Sequence, residues 1–271
     1  PMVAINQWEQ AADSMYTLCG KDRIHPSTDG HLVMAYLFLK AQGLAGKPVA
    51  DIRIDGAGKK VTRSDNCRVS DLSISSDNLT FTYEAKSLPY PIDTSYYDNE
   101  KHTQADALSV IPFMDEMNYE GLSVSGLSDG YYGLTIGGEF IGRFTARELE
   151  RGINMALLQN TPQYKQAMKI RQMNEERWLK ERKMREFYWV EYNLMRKTGM
   201  LWACDEAAVD TLRKYRPHDI FLQWNGDLWL QYMHKGIRED CVNEQQDLVD
   251  RIYEQNKPIP LQIEIKKFTD L

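Results

Sequence analysis

Asp22-Arg23-Ile24-His25-Pro26, followed directly by Ser27-Thr28-Asp29-Gly30-His31-Leu32-Val33-Met34-Ala35-Tyr36, is the stretch from which the rest of the sequence is best read. An acid three residues before a histidine, on a loop, has a short path to the ring Nδ1–H. There it fixes the tautomer, stabilises the imidazolium and leaves Nε2 to face a nucleophile. Pro26 biases His25 away from helical dihedrals, which keeps the ring on a loop ahead of the helix. The helix is expected from Thr28 or Asp29 to about Gln42, with Gly43 as its stop. The bland reading of Asp22 and His25 is a helix-capping loop with an incidental ion pair.

Upstream, Met2-Val3-Ala4-Ile5 reads as a short buried strand and Gln7 to Leu18 as a helix. Together with the motif they read as the strand–helix–loop–helix ending of a parallel α/β sheet. Residues 1–46 form this first region, and Gly46-Lys47-Pro48 is the linker that follows it. Residues 47–144 are β-rich. Ala50 to Ile54 alternates and turns at Asp55-Gly56. Val69, Leu72 and Ile74, then Leu79 to Tyr83, Leu122 to Ser125 and Tyr131 to Ile136 carry further strands. Gly137-Gly138 marks a hairpin turn into Glu139-Phe140-Ile141. A small antiparallel sandwich is expected, with a long Tyr-, Pro-, Asp- and Asn-containing loop from Pro89 to His102. Residues 145–271 are mainly helical. Thr145 and Glu148 make a capping box, and Thr161-Pro162 starts a helix that runs to about Lys197. Asp205 to Tyr215 and Glu239 to Gln255 are shorter helices, and Leu261 to Ile265 is a closing strand.

The motif block resembles the last catalytic block of the SGNH, or GDSL-type, hydrolases. That pattern is Asp-x-x-His-Pro, a short polar cap, a glycine and an apolar helix. Pro112-Phe113 through Asn118, Leu122 to Gly126, Phe144 to Leu149 and Gly152-Ile153-Asn154 resemble the C-terminal extension of a bacterial subgroup. The resemblance implies an α/β fold, the C-terminal piece of a three-layer α/β/α SGNH domain, followed by the β module and the helical extension. It implies a serine esterase or acylhydrolase with His25 as general base and Asp22 as its orienting acid. It implies no metal or organic cofactor, and a small-molecule or glycan ester as substrate, an acetylated sugar among them. The compartment is left open, and the same resemblance favours secretion or a periplasmic location.

The family's Gly-Asp-Ser and Gly-x-Asn-Asp blocks have no counterpart here. Asn225-Gly226-Asp227 and Ser76-Asp77-Asn78 stand in the wrong order and context. The chain is therefore expected to be a C-terminal piece, with the nucleophilic serine on the N-terminal part of the same protein. The alternative is a non-catalytic module that binds a carbohydrate or a protein.

The remaining features are weaker. The 271 residues carry a formal net charge of −6, which gives no general pull toward nucleic acid or anionic membrane. No apolar run approaches the length of a membrane span. Cys19, Cys67, Cys204 and Cys241 are too dispersed for a zinc site; one or two disulfides are open to them, and the bland reading is four separate, mostly buried thiols. His31 reads as a packing or hydrogen-bonding residue, and His218 and His234 as surface or structural ones. Trp202, Trp224 and Trp229 fit core packing better than a ligand cleft. The charges around Lys180 to Arg185 alternate in sign, as on a solvated, ion-paired helix.

Overall fold

The structure, a computed structural model, describes residues 1–20, 22–95 and 102–268. The chain divides into two compact units, Pro1–Met168 with Lys257–Leu271, and Lys169–Asn256.

The first unit opens with α1 (Met2–Gln10) and α2 (Thr28–Ala41). The strand expected at Met2 to Ile5 is thus the first turn of a helix. A four-residue apolar run does not distinguish the two. Met2 and Ile5, three apart, pack on a core, whereas Val3 and Trp8 are exposed. The helix expected from Gln7 to Leu18 is also corrected. It has stopped by Ala11, and Asp13 turns the chain by accepting the Met15 N–H at 2.9 Å. Helix α2 keeps its expected bounds and ends before Gly43, whose φ is +73°. Its Leu32, Val33 and Tyr36 pack with Leu18, Ile111 and Phe113.

The strands that follow are β1 (Ala50–Asp55), β2 (Lys60–Asp65), β3 (Cys67–Ile74) and β4 (Asn78–Ala85). After them come α3 (Phe113–Glu116), β5 (Glu120–Ser125), β6 (Tyr131–Ile136) and β7 (Glu139–Thr145). Next are α4 (Ala146–Arg151), β8 (Ile153–Asn154) and α5 (Pro162–Val190). β9 (Leu261–Lys267) returns late in the chain. One sheet has the order β2-β1-β5-β8 and the other β3-β4-β9-β6-β7. They share one core, in which Ile52, Leu122, Phe81, Leu134 and Ile263 are essentially inaccessible. Burying each such side chain stabilises by about 1.5–3 kcal/mol before chain entropy is charged.

The expected antiparallel sandwich needs one correction. β1 and β5 run parallel, with Ile52 opposite Leu122. Parallel neighbours require a long crossover, and the three intervening strands and α3 supply it. The Gly137-Gly138 hairpin forms as read, with φ of +58° and +83°, the geometry a two-residue primed turn demands. Of the expected Pro89–His102 loop, residues 96–101 lie outside the described residues.

Glu120 is enclosed between the sheets. Its Oε1 accepts the Tyr83 hydroxyl of β4 at 2.8 Å and the Gln163 amide of α5 at 3.2 Å. Among the described residues its Oε2 and the Gln163 Oε1 are buried without a hydrogen-bond partner. Burial raises the carboxyl pKa to about 7 and raises that of the Tyr83 phenol as well.

The second unit holds the rest of α5, then α6 (Glu206–Tyr215), α7 (Ile220–Tyr232) and α8 (Lys235–Gln255). The helix expected to reach Lys197 changes at Glu191 into a π-turn over Glu191–Met195. Glu191 is buried there and accepts the Trp229 indole N–H at 2.8 Å and the Trp202 backbone N–H at 2.9 Å. The single-turn π-bulge places this carboxylate inward. Among the described residues no helix is long and apolar enough to cross a membrane.

Candidate active site

Asp22 and His25 lie on the turn between α1 and α2. Cys19 and Pro26 form an isolated antiparallel bridge beneath it. The Gly20 N–H bonds the His25 carbonyl at 2.7 Å, and the Arg23 N–H bonds the Gly20 carbonyl at 2.9 Å. Arg23 takes a left-handed φ of +57°, which folds the turn tightly. Asp22 Oδ1 then accepts the backbone N–H groups of Ile24 and His25 at 2.9 and 3.1 Å. Its Oδ2 lies 2.5 Å from His25 Nδ1. The imidazole and those two amides hold the Asp22 pKa down at about 2, the ring contributing most. An ionised carboxylate only accepts, so Nδ1 is the donor of this pair, and in the neutral ring Nε2 then carries the lone pair. The His25 side chain is 83% exposed, and among the described residues nothing bonds Nε2.

The turn rests on a buried base. The Leu18 N–H bonds Asn6 Oδ1 of α1 at 3.0 Å, and the Ser27 N–H bonds the Leu18 carbonyl at 3.1 Å. The Ser27 hydroxyl donates to Asp29, which also accepts the Gly30 N–H at 2.8 Å. Asp29 is buried, and His102 Nδ1 approaches its Oδ2 at 3.5 Å. A Cβ on Gly30 would fall 2.0 Å from the Leu18 carbonyl oxygen. Glycine is therefore required where α2 meets the strand-like segment under the turn. Sequence reading grouped Ser27 to Gly30 as a polar cap and a glycine. It did not find the Asp29–His102 pair, whose members are 73 positions apart with no local signal.

The other residues of interest stand elsewhere. His31, His218 and His234 are exposed, on α2, after α6 and before α8. Trp229 is core, whereas Trp224 and Trp202 are largely exposed. Cys67 and Cys241 are buried, Cys19 is half-buried and Cys204 exposed, and all four are free thiols. Burial raises the Cys67 thiol pKa. Among the described residues His25 bonds no serine hydroxyl, and no group of three or more His, Cys, Asp or Glu is placed to hold a metal ion.

This geometry can be set beside known proteins. The family model of the diltiazem deacetylase C-terminal helical domain matches residues 168–257, which is the helical unit. A solved structure of a gut microbial diltiazem-metabolizing enzyme superposes with a TM-score of 0.93 at 42% sequence identity. The match covers 99% of this chain and 61% of that one, so the chain spans under two thirds of the length of the solved structure. No curated protein matches the sequence. The mixed α/β fold, with its two sheets and helical region, is thus shared along nearly the whole of this chain.

Proposed function

We propose that the protein to which this chain belongs is an ester hydrolase, a serine esterase of the SGNH type, in which this chain supplies the base. The observation that carries the reading is the Asp22–His25 pair, held at 2.5 Å with Nε2 facing solvent. It occurs in a chain 42% identical to a drug-metabolizing enzyme, and its helical unit matches a deacetylase domain. Deacetylation of an ester is carboxylic ester hydrolysis, the chemistry that such a pair serves.

In this mechanism Asp22 stays ionised through the neutral range and fixes the proton of His25 on Nδ1. Nε2 takes the proton of an attacking serine hydroxyl as the oxygen bonds to the ester carbonyl carbon. The imidazolium, stabilised by Asp22, returns that proton to the leaving alcohol. A water then repeats the sequence on the acyl-enzyme and releases the acid. Serine and oxyanion donors come from polypeptide outside these 271 residues. Acetyl esters, sugar acetates included, are the proposed substrates.

The test is fluorophosphonate labelling of the native preparation, read by intact mass under denaturing conditions. Label on a copurifying polypeptide, with turnover of an aryl acetate abolished by His25→Ala, is the expected result. Full turnover by the His25→Ala protein would overturn the assignment.

A further inference from the structure

The helical unit carries a groove of its own. Trp178, Arg182, Arg185 and Trp189 recur at helical spacing along one face of α5, and with Glu186 of the same helix and Asn225 of α7 they line an open cavity of about 370 Å³. The size is within the range of small-ligand sites. The two tryptophans are eleven positions apart, about 16 Å along the axis, so an occupant spanning both is elongated. Phe221 backs the Trp189 ring at 5.2 Å between centroids, and Trp224 stands edge-on to Phe221 at 5.4 Å. Trp189 is thereby backed by a second ring, and half of Trp178 is open to solvent.

The polar side of the groove has capacity to spare. Arg182 gives its Nε–H to Glu186 at 2.7 Å, and among the described residues its terminal amino groups have no partner. The Arg185 guanidinium lies 4.7 Å from the Trp178 ring centre, and its Nε is 3.8 Å from Glu181, beyond hydrogen-bond reach. Two guanidinium forks therefore face solvent beside flat apolar rings. That arrangement suits a carboxylate taken in bidentate fashion, attached to a scaffold with an apolar face. Both walls are helices with backbone groups spent internally, so an extended peptide would find no main-chain partner here. The groove also has too many polar side chains to seat the apolar stripe of a helical peptide.

We propose that this groove binds an acidic oligosaccharide. The indoles of Trp178 and Trp189 stack on pyranose C–H faces, Arg182 and Arg185 hold a uronate carboxylate, and Glu186 and Asn225 bond ring hydroxyls. The proposal concerns binding by the helical unit and is independent of the esterase reading.

The test uses the full chain and titration calorimetry with three probes: hexagalacturonate, its methyl-esterified form, and a glutamate hexapeptide. Expected is saturable binding of hexagalacturonate that weakens about tenfold or more on esterification, on Arg182→Ala with Arg185→Ala, and on Trp178→Ala. These side chains are exposed, so unchanged circular dichroism in each variant verifies the fold. Silence toward hexagalacturonate overturns the proposal. So does equal affinity for the esterified form or for the glutamate peptide, and so does undiminished binding by the Trp178→Ala chain. Sedimentation adds a further way to fail: dissociation of a dimer by Trp178→Ala would make the groove a contact between copies of this chain.

Discussion

Asp22 and Glu120 are carboxylic acids of the same compact unit, and their surroundings drive them in opposite directions. Asp22 stands on an exposed turn with an imidazole and two backbone amides around it, and its pKa is down at about 2. Glu120 is enclosed between two sheets with a phenol and an amide, neither of them a cation, and burial lifts its pKa to about 7. Hydrogen bonds reach both groups. What separates them is solvent for the one and its loss for the other. The exposed acid is held charged beside an imidazole, the state the proposed mechanism needs. The buried acid is part of the packing and sheds its charge readily.

The largest expected effect breaks the exposed side of the comparison. On the proposed mechanism, His25→Ala should lower kcat for an aryl acetate by about 10³–10⁴-fold. Asp22→Asn should lower it by about 10²-fold or more through loss of the tautomer. Thermal unfolding should hardly move for either, because both side chains lie outside the core. Steady-state kinetics beside a melting curve checks this. A large drop in Tm with proportionate loss of activity would mean that the pair is a structural strut.

On the buried side, the folded pKa of Glu120 lies above the value of about 4.3 for an exposed glutamate. Its contribution to stability is fully present below that lower value and is lost as pH rises through about 7. From pH 4 to pH 9 the loss should approach about 3 kcal/mol. Glu120→Gln removes this titration while still accepting from Tyr83, and its new amide can meet the orphaned Gln163 Oε1. Denaturant unfolding across this range should therefore show a flatter stability profile for the variant, with the two proteins diverging most at alkaline pH. Parallel profiles would show that Glu120 is ionised at no cost, and the contrast with Asp22 would collapse.

Gly30→Ala tests whether the exposed acid depends on the buried base under it. The added Cβ collides with the Leu18 carbonyl oxygen, a backbone atom that cannot rotate away. A destabilisation of about 1–3 kcal/mol is expected, together with a fall in kcat, because the same carbonyl bonds the Ser27 N–H at the foot of the turn. Lost stability with kcat intact would separate the turn from its base.

The motif was legible because its information is local. Asp22, His25, Pro26 and Gly30 act within nine positions, and so do the Gly137-Gly138 turn and the Thr145 capping box. What escaped reading is decided at a distance. β2 is mostly exposed and lacks apolar alternation, so its place at the sheet edge comes from pairing with β1. β9 was legible as a strand, but not its insertion between β4 and β6, where Ile263 lies opposite both Phe81 and Ile136. Helix α7 was hidden by Asn225-Gly226-Asp227, which looks like a turn. In the fold Arg216 pairs with Asp227 at 2.6 Å and lies against Gly226, where a Cβ would come within 3.1 Å of its Nε. Glu120 is one acid at the start of an apolar strand, and only the Tyr83 and Gln163 side chains mark it as enclosed.

Glu148 offers the smallest test, since its pKa is lowered chiefly by hydrogen bonds from Thr145, with the Arg151 charge a lesser influence. Its carboxylate accepts the Thr145 N–H at 2.7 Å and the Thr145 hydroxyl at 2.7 Å, and the backbone bond is the larger influence. Thr145→Ala removes the hydroxyl and keeps the N–H. Loss of the cap should cost about 1 kcal/mol of stability, measured by denaturant unfolding, while the Glu148 titration followed by carbon NMR stays below the ordinary glutamate range. A return of Glu148 to the ordinary value would show that the hydroxyl, not the amide, holds the charge. Backbone amides alone would then be insufficient to lower an exposed carboxylate in this fold. The depressed pKa of Asp22, which combines two such amides with an imidazole, would have to be assigned almost wholly to His25.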